Sequence, residues 1–290
     1  MVLVVGARGA LGSRVVRRLL AEGRAVRAVS RDPAGLASLT ALGAEAVAGD
    51  LLDEAWHGAA LAGVEQVVMA SHGLVPPSTR NHPGAVDGDG ARRFIDAAGR
   101  AGVRHVVYVS AAGADRASDP FGRVKFATEQ HLRASGVPCT VVRPTVFVEN
   151  NGLMLLGEPA RAGKPVQIVG AGTEPVNWVS AEDVADEVVR ALAGGAVGQV
   201  LEVRGPDTLT RLEVLEIVER ALGATAKRQH LPRPVAQAVR ALVGPFHPGI
   251  RYLLGLVLSE GAPSQPSDGA VVRVGRTPVA EVVERWAAVA

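Results

Sequence analysis

The chain has 290 residues, 48% hydrophobic and 21% charged, with a formal net charge of +2. That length and apolar content suit a folded protein with a sizeable core, as one large α/β unit or two modest domains. Lys and Arg are interleaved with Asp and Glu, and aromatic residues make up only 3%, which argues against nucleic acid as a partner.

Strand-like and helix-like patterns alternate from the first residue, as in a parallel sheet flanked by helices. Val2-Leu3-Val4-Val5 predicts a buried strand, too short before its glycine to be a secretory signal. Leu11, Val15, Val16, Leu19 and Leu20 then recur at helical spacing until Gly23. Residues 26–29, 44–47 and 65–70 predict the next three strands. Residues 91–102 predict a helix leading to a fifth strand at 106–109, in which Tyr108 reads as core. Residues 125–135 predict a helix leading to a sixth strand at 140–142. Cys139, the single cysteine, lies in this apolar run and is expected to be an inert core thiol, which fits a reducing, cytoplasmic location.

Six such strands predict a doubly wound α/β fold over residues 1–150. Gly and Pro are denser beyond residue 150, so residues 151–290 are expected to form mostly a smaller substrate-side lobe. It is interleaved with the core, because residues 166–169, 181–192 and 200–203 carry patterns able to pack on the sheet. The basic run 227–233 reads as a solvated loop. The apolar runs 235–243 and 252–258 are open to three uses: core packing, a substrate lid, or a subunit contact such as a homodimer. The second is too short to span a bilayer, and no membrane association is expected.

Gly6, Gly9 and Gly12 follow the first strand and open the first helix, spaced G-x-x-G-x-x-G. Glycine there permits a tight turn and close approach of backbone N–H groups to a pyrophosphate, whose charge the helix N-terminus favours. Ala10 and Leu11 belong to the same cradle, and the expected fold is of the Rossmann type. Arg31 ends the second strand where NAD enzymes usually carry a carboxylate, and Arg8 lies in the turn itself. Both can pair with the 2′-phosphate of NADP(H), the expected cofactor. Asp32 leaves the alternative of NAD if the strand ends one residue later. Asp50 and Leu51, after the third strand, are placed beside the adenine, and Asp53 is read as a helix cap.

The segment from Lys125 to Asn150 resembles the K-x-x-x-E-x-x-L-x-x-S-G-x-x-x-T-x-x-R-P stretch of NmrA-like proteins, which are atypical short-chain dehydrogenases/reductases. Gly6 to Gly12, Asp50, the run Val179-Ser180-Ala181-Glu182-Asp183 and the run Glu202-Val203-Arg204-Gly205-Pro206 extend the resemblance over most of the chain. The resemblance implies an NAD(P)H-binding Rossmann protein. Its members include NADPH-dependent quinone reductases, isoflavone- and phenylcoumaran-type reductases, and regulators that bind the dinucleotide without turnover. It also implies that the backbone of Pro144, Thr145 and Val146 faces the carboxamide, and that Asn150 lies near the substrate mouth.

Better-known short-chain dehydrogenases use a Ser, a Tyr and a Lys four residues after the Tyr, the phenol giving its proton to a carbonyl. Ser110 and Lys125 stand where that pattern expects them, but the tyrosine position is Phe121. Lys125 is expected to hold the nicotinamide ribose, oriented by Glu129 one turn later. Ala70, Ser71 and His72 follow the fourth strand on the nicotinamide side; His72, Phe121 and Asn150 are the expected substrate contacts. Three readings stand: hydride transfer to a quinone-like acceptor or activated alkene; His72 or Lys125 as acid or base; or a non-catalytic NADP(H) sensor. A dehydratase, epimerase or cyclase without net redox change is a further alternative. No metal-ligand spacing is present among the histidines and the cysteine.

Overall fold

The computed structural model describes residues 1–259 and 266–289. In chain order the strands are β1 (Val2–Val5), β2 (Val26–Ser30), β3 (Glu45–Ala48), β4 (Gln66–Met69), β5 (His105–Val109), β6 (Cys139–Pro144) and β7 (Val146–Phe147). They continue with β8 (Val166–Val169), β9 (Val176–Val179), β10 (Val200–Arg204), β11 (Asp207–Leu209), β12 (Arg228–Leu231) and β13 (Val271–Val274). The helices are α1 (Ala10–Ala21), α2 (Ala37–Thr40), α3 (His57–Leu61), α4 (Ala91–Arg100), α5 (Pro120–Ala134) and α6 (Glu158–Arg161). The rest are α7 (Ala181–Leu192), α8 (Arg211–Leu222), α9 (Arg233–Val243), α10 (Pro248–Ser259) and α11 (Val279–Ala287). Two π-helical segments, Gly84–Gly90 and Val148–Gly157, lead into α4 and α6.

Eight strands form one sheet in the order β13-β10-β6-β5-β4-β1-β2-β3, with every neighbouring pair parallel. Its central strands are continuous apolar runs because helices cover both faces. On one face α1 and α7 pack over Val4, Val107, Val142 and Val203. The other face buries Leu3, Val67, Tyr108, Phe94 of α4 and Leu132 of α5. Cys139 lies in this second layer, as expected of a core thiol, and burial raises its pKa. The α1–α7 contact is edged by charge: Arg14 and Arg18 bind Glu182 at 2.6 and 2.7 Å.

The six expected strands form, and the sheet gains two more from beyond residue 150. One is β10, over the expected 200–203. The other, β13, has a mostly exposed pattern without alternation, so periodicity does not mark it. Residues 166–169 pair instead with β12 in a two-stranded sheet apart from the main one. The basic run 227–233 is therefore largely a strand rather than a loop, with Arg228 bound to Glu219 at 2.8 Å. The helix expected from residue 125 begins at Pro120, because Asp119 caps it by accepting from Gly122 N at 2.9 Å and proline suits the first turn.

A third core gathers β9, α8, α11 and the second π-helical segment around Trp178, Val214, Leu215 and Val283. A small fourth one joins Phe121, Leu74 and Tyr252 of α10. The run 252–258 is thus part core and part cleft wall, whereas α9 buries only Ala236 and leaves Leu242 73% exposed.

Candidate active site

Loops at the carboxyl ends of β1, β2, β4, β5 and β6 open into one cleft of about 1550 Å³. This is where open α/β sheets bind ligands. The cleft is lined by every residue expected above to touch cofactor or substrate except Gly12; Glu129, expected to orient Lys125, lies outside it. Gly12 works from behind: a Cβ there would stand 2.2 Å from the Gly6 carbonyl oxygen, so its role is close packing of α1 on the turn. Gly6 has a left-handed φ of +84° and lies against the backbone of Ser71. At Gly9 an added Cβ would meet only the Gly6 oxygen, at 3.3 Å, so that face of the turn is open to the cleft. Gly9 is also the N-cap of α1, with no side-chain cap and no acidic residue in the first turn. The free amides of the helix start therefore face a space suited to a phosphate group.

Strand β2 ends at Ser30. Asp32 lies beyond it as the cap of a short 3-10 turn, one carboxylate oxygen accepting from Ala34 N and the other bound to Arg8 at 3.2 Å. Both oxygens are thus engaged. Arg31 is exposed and, among the described residues, makes no hydrogen bond or ion pair. Asp50 accepts from Leu52 N at 3.1 Å, so one of its oxygens serves the local turn. Leu51 is largely built into the core under the cleft. Asp53 accepts from Ala55 N within a turn and does not cap α3, whose N-cap is Trp56.

The expected Lys125–Glu129 pair does not form. Lys125 is 3% exposed; its ammonium lies 2.9 Å from Asp87 Oδ1 and donates to the Val109 carbonyl at 2.8 Å. Asp87, from the first π-helical segment, also accepts from Gly73 N at 2.8 Å, which ties the loop bearing His72 to the lysine. Burial pulls the Lys125 pKa down, but Asp87 and Tyr108 outweigh it and hold it above its ordinary value. Tyr108 is more than core: its ring centre is 4.9 Å from the ammonium, and burial pushes its phenol up to about 12.

Glu129 instead receives Arg143 in a two-pronged contact at 2.9 and 2.7 Å, the guanidinium also reaching Asp115 at 3.0 Å. Ser110 donates its hydroxyl hydrogen to the same Glu129 at 2.5 Å. Ser110 can therefore accept from a ligand but has no hydrogen to give one. Of the backbone expected to face a carboxamide, Thr145 N–H bonds to Val203 and the Pro144 carbonyl accepts from Ala112 N–H. That stretch lines the cleft, but these two groups already serve the strands.

His72 opens onto the cleft wall. Leu74 N donates to its Nδ1 at 3.3 Å, and its Nε2 lies 3.3 Å from the Asn150 side-chain nitrogen. Desolvation by surrounding protein lowers its pKa; Asp87 opposes this and Lys125 adds to it. Phe121, 8% exposed, presents its ring 5.8 Å from Lys125 Nζ.

The sequence model of the NmrA-like family matches residues 1–250. The chain belongs to that family. An NAD(P)H azoreductase of Xenophilus azovorans is 32% identical over 246 residues, 84% of this chain and 81% of that protein. A (4-alkanoyl-5-oxo-2,5-dihydrofuran-3-yl)methyl phosphate reductase of Streptomyces griseus is 34% identical over 253 residues, 86% of this chain and 83% of that protein. Among solved structures, the NADPH-dependent quinone oxidoreductase of Escherichia coli complexed with NADPH is similar in fold, with a TM-score of 0.72 at 24% identity over 99% of each chain.

In this NmrA-like protein Asp87 and the Arg143–Glu129–Asp115 cluster escaped the sequence reading. Asp87 stands beside Asp89 in a glycine-rich run, and nothing local separates the buried carboxylate from the exposed one. Arg143, by contrast, lies inside an apolar strand, and a charge there signals a buried partner. Among the described residues no group of three or more His, Cys, Asp or Glu can hold a metal ion, and no helix is long and apolar enough to cross a membrane.

Proposed function

We propose that the protein is an NADPH-dependent reductase that passes hydride to a hydrophobic, electron-poor acceptor such as a quinone, an azo compound or an activated alkene. The observation that carries this reading is a phenyl ring, Phe121, where related carbonyl reductases place a phenol. Lys125, the usual partner of that phenol, lines the floor of the cleft but is held in an ion pair with Asp87. An acceptor that spreads incoming charge through its own π-system has least need of the missing acid.

The cleft fits the dinucleotide. Gly9 and the uncapped start of α1 would hold the pyrophosphate, Arg31 and Arg8 would bind the 2′-phosphate, and Asp50 would meet the adenine amino group. When bound, reduced NADP supplies a two-electron hydride. Ser110 orients a ligand N–H or O–H by accepting from it. Lys125, fixed by Asp87, keeps one positive charge in the floor of the cleft. Residues 151–290 form the substrate side, where Leu256 of α10 and Met154 line the cleft beside Phe121. The names of the relatives support this choice of acceptors: an azo compound, an oxo-dihydrofuran and a quinone.

The test is NADPH oxidation with a matched panel of quinones, enones and simple ketones, alongside calorimetric binding of NADPH. Quinone or enone turnover well above ketone turnover is expected. Tight NADPH binding with no turnover makes the protein a dinucleotide-sensing module, and failure to bind NADPH overturns the reading.

A further inference from the structure

Ser110 follows β5 with its hydroxyl hydrogen directed into the protein, to Glu129 Oε1 at 2.5 Å. Glu129 is a fully buried carboxylate that also receives Arg143 at 2.9 and 2.7 Å and Arg133 at 3.3 Å. Facing two guanidinium groups, it takes hydrogens and has none to give. Arg143 is itself fixed by Asp115 at 3.0 Å. Ser110 nevertheless lines the cleft, and what it can present there is oxygen lone pairs. Donation to a carboxylate also enriches that oxygen in electrons and makes it a better acceptor. The serine stands on the Phe121 side of the cleft: the neighbouring Val109 carbonyl binds the Lys125 ammonium, and the Phe121 ring lies 5.8 Å from the same ammonium. A bare carbonyl oxygen placed on Ser110 would meet lone pair against lone pair, unless the serine left Glu129 and cost it a buried hydrogen bond.

We propose that the substrate carries an N–H or O–H group beside its reducible bond, as in an amino- or hydroxy-substituted quinone or azo compound, and that Ser110 selects it by accepting that hydrogen. Glu129 and Arg143 are then positioning residues: they never touch the substrate, and they fix which way the Ser110 hydroxyl points. The assignment rests on the reductase reading above and narrows its acceptor class. The contact leaves the reduction itself unchanged. The acceptor takes two electrons and one hydrogen as hydride, the reduced dinucleotide is oxidised, and water supplies the second hydrogen as a proton. The N–H or O–H held by Ser110 stays on the substrate throughout, so its part is to place the reducible bond. A hydrogen bond whose loss leaves a buried group unpaired discriminates more sharply than a matching gain of apolar contact.

The test compares a naphthoquinone bearing an amino group beside one carbonyl with the naphthoquinone bearing methyl at the same position, a substituent of similar size without a polar hydrogen. Measuring both in wild type and in Ser110→Ala cancels the electronic difference between the compounds. The ratio of kcat/KM, amino over methyl, should fall about 10-fold in Ser110→Ala, mostly through KM, with NADPH affinity kept. Ser110→Thr, which retains the hydroxyl, should keep most of the ratio. Replacing the buried pair together, Glu129→Leu with Arg143→Met, frees the Ser110 hydrogen. The KM for the methyl compound should then fall, because the serine can donate to its carbonyl; a KM that does not fall overturns the positioning role. If that variant does not fold, the Ser110→Ala ratio decides by itself. An unchanged ratio with both compounds reduced overturns selection by Ser110 and leaves the reductase standing. Weaker NADPH binding in Ser110→Ala moves the contact to the cofactor and overturns it equally. A wild type that binds NADPH and reduces neither compound overturns the reductase reading together with the proposal.

Discussion

Asp87 and Lys125 face each other at 2.9 Å in the floor of the cleft, their side chains 0% and 4% exposed. Removing one member leaves the other charge in a poorly solvated interior. Asp87→Ala should lower unfolding free energy by about 3–5 kcal/mol, measured as a shift in the denaturant midpoint. Pairing Asp87→Leu with Lys125→Met should recover most of that loss. Equal stability of the wild type and Asp87→Ala would mean that the pair is relaxed by solvent.

The glycine turn separates binding from folding at two positions. Gly9→Val should remain folded and lose NADPH, because its side chain enters the open space above the turn. Gly12→Val should lose folding itself, since a Cβ there meets the Gly6 oxygen at 2.2 Å. Thermal melts with calorimetry distinguish the two; a folded Gly9→Val with unchanged affinity would make the turn merely structural.

Cofactor choice should depend on Arg31 more than on Arg8. Arg31 has no competing partner among the described residues, and losing a charge-assisted contact to a phosphate is worth about 1.5–3 kcal/mol, roughly 10- to 100-fold in affinity. Arg8→Ala should cost less for NADPH and also release Asp32 to accept ribose hydroxyls, improving NADH binding. Calorimetry with both dinucleotides checks the order, and unchanged discrimination in Arg31→Ala would refute it.

Simple ketones should be poor substrates, at least about 10²-fold slower than quinones, because no phenol stands at residue 121. Phe121→Tyr should raise ketone turnover only slightly, since Asp87 already neutralises the lysine that would activate the new hydroxyl. Efficient ketone reduction by the wild type would contradict the proposed acceptor class.

Acid should destabilise the fold through His57. Its ring is 3% exposed, Nε2 has no hydrogen-bond partner, and Trp56 and Phe94 pack on it at 4.7 and 5.0 Å. Desolvation lowers its pKa, so the unfolded chain binds the proton first. Stability is therefore full above about pH 6.5 and falls as pH drops through that value towards the lower folded-state pKa. His57→Phe should flatten part of this dependence in melts between pH 7 and pH 5; an identical slope would assign it to other groups.

The legible parts of this protein are those in which local backbone demands decide the residue. The glycines of the first turn, the apolar strands and the strand-end arginines each announce themselves within a few positions. Side-chain partners did not, because the spacing of Lys125 and Glu129 describes an isolated helix surface, and α5 is not one. Glu129 faces the sheet, where a guanidinium from β6 binds it with two hydrogen bonds, and Lys125 turns to a carboxylate on a segment distant in sequence. Strand β13 was hidden for the opposite reason: an edge strand with an exposed face carries little apolar signature.

The placement of β10 and β13 outside β6 also affects how the molecule is made. During synthesis the β6 edge stays bare, its amides and carbonyls unpaired, until residues 200–204 have left the ribosome. The β10 edge then waits for residues 271–274. A nascent chain in that interval presents a ready template for a chaperone or for a second unfinished copy. Expression of a fragment ending near residue 150 should accordingly yield aggregates rather than a small nucleotide-binding protein.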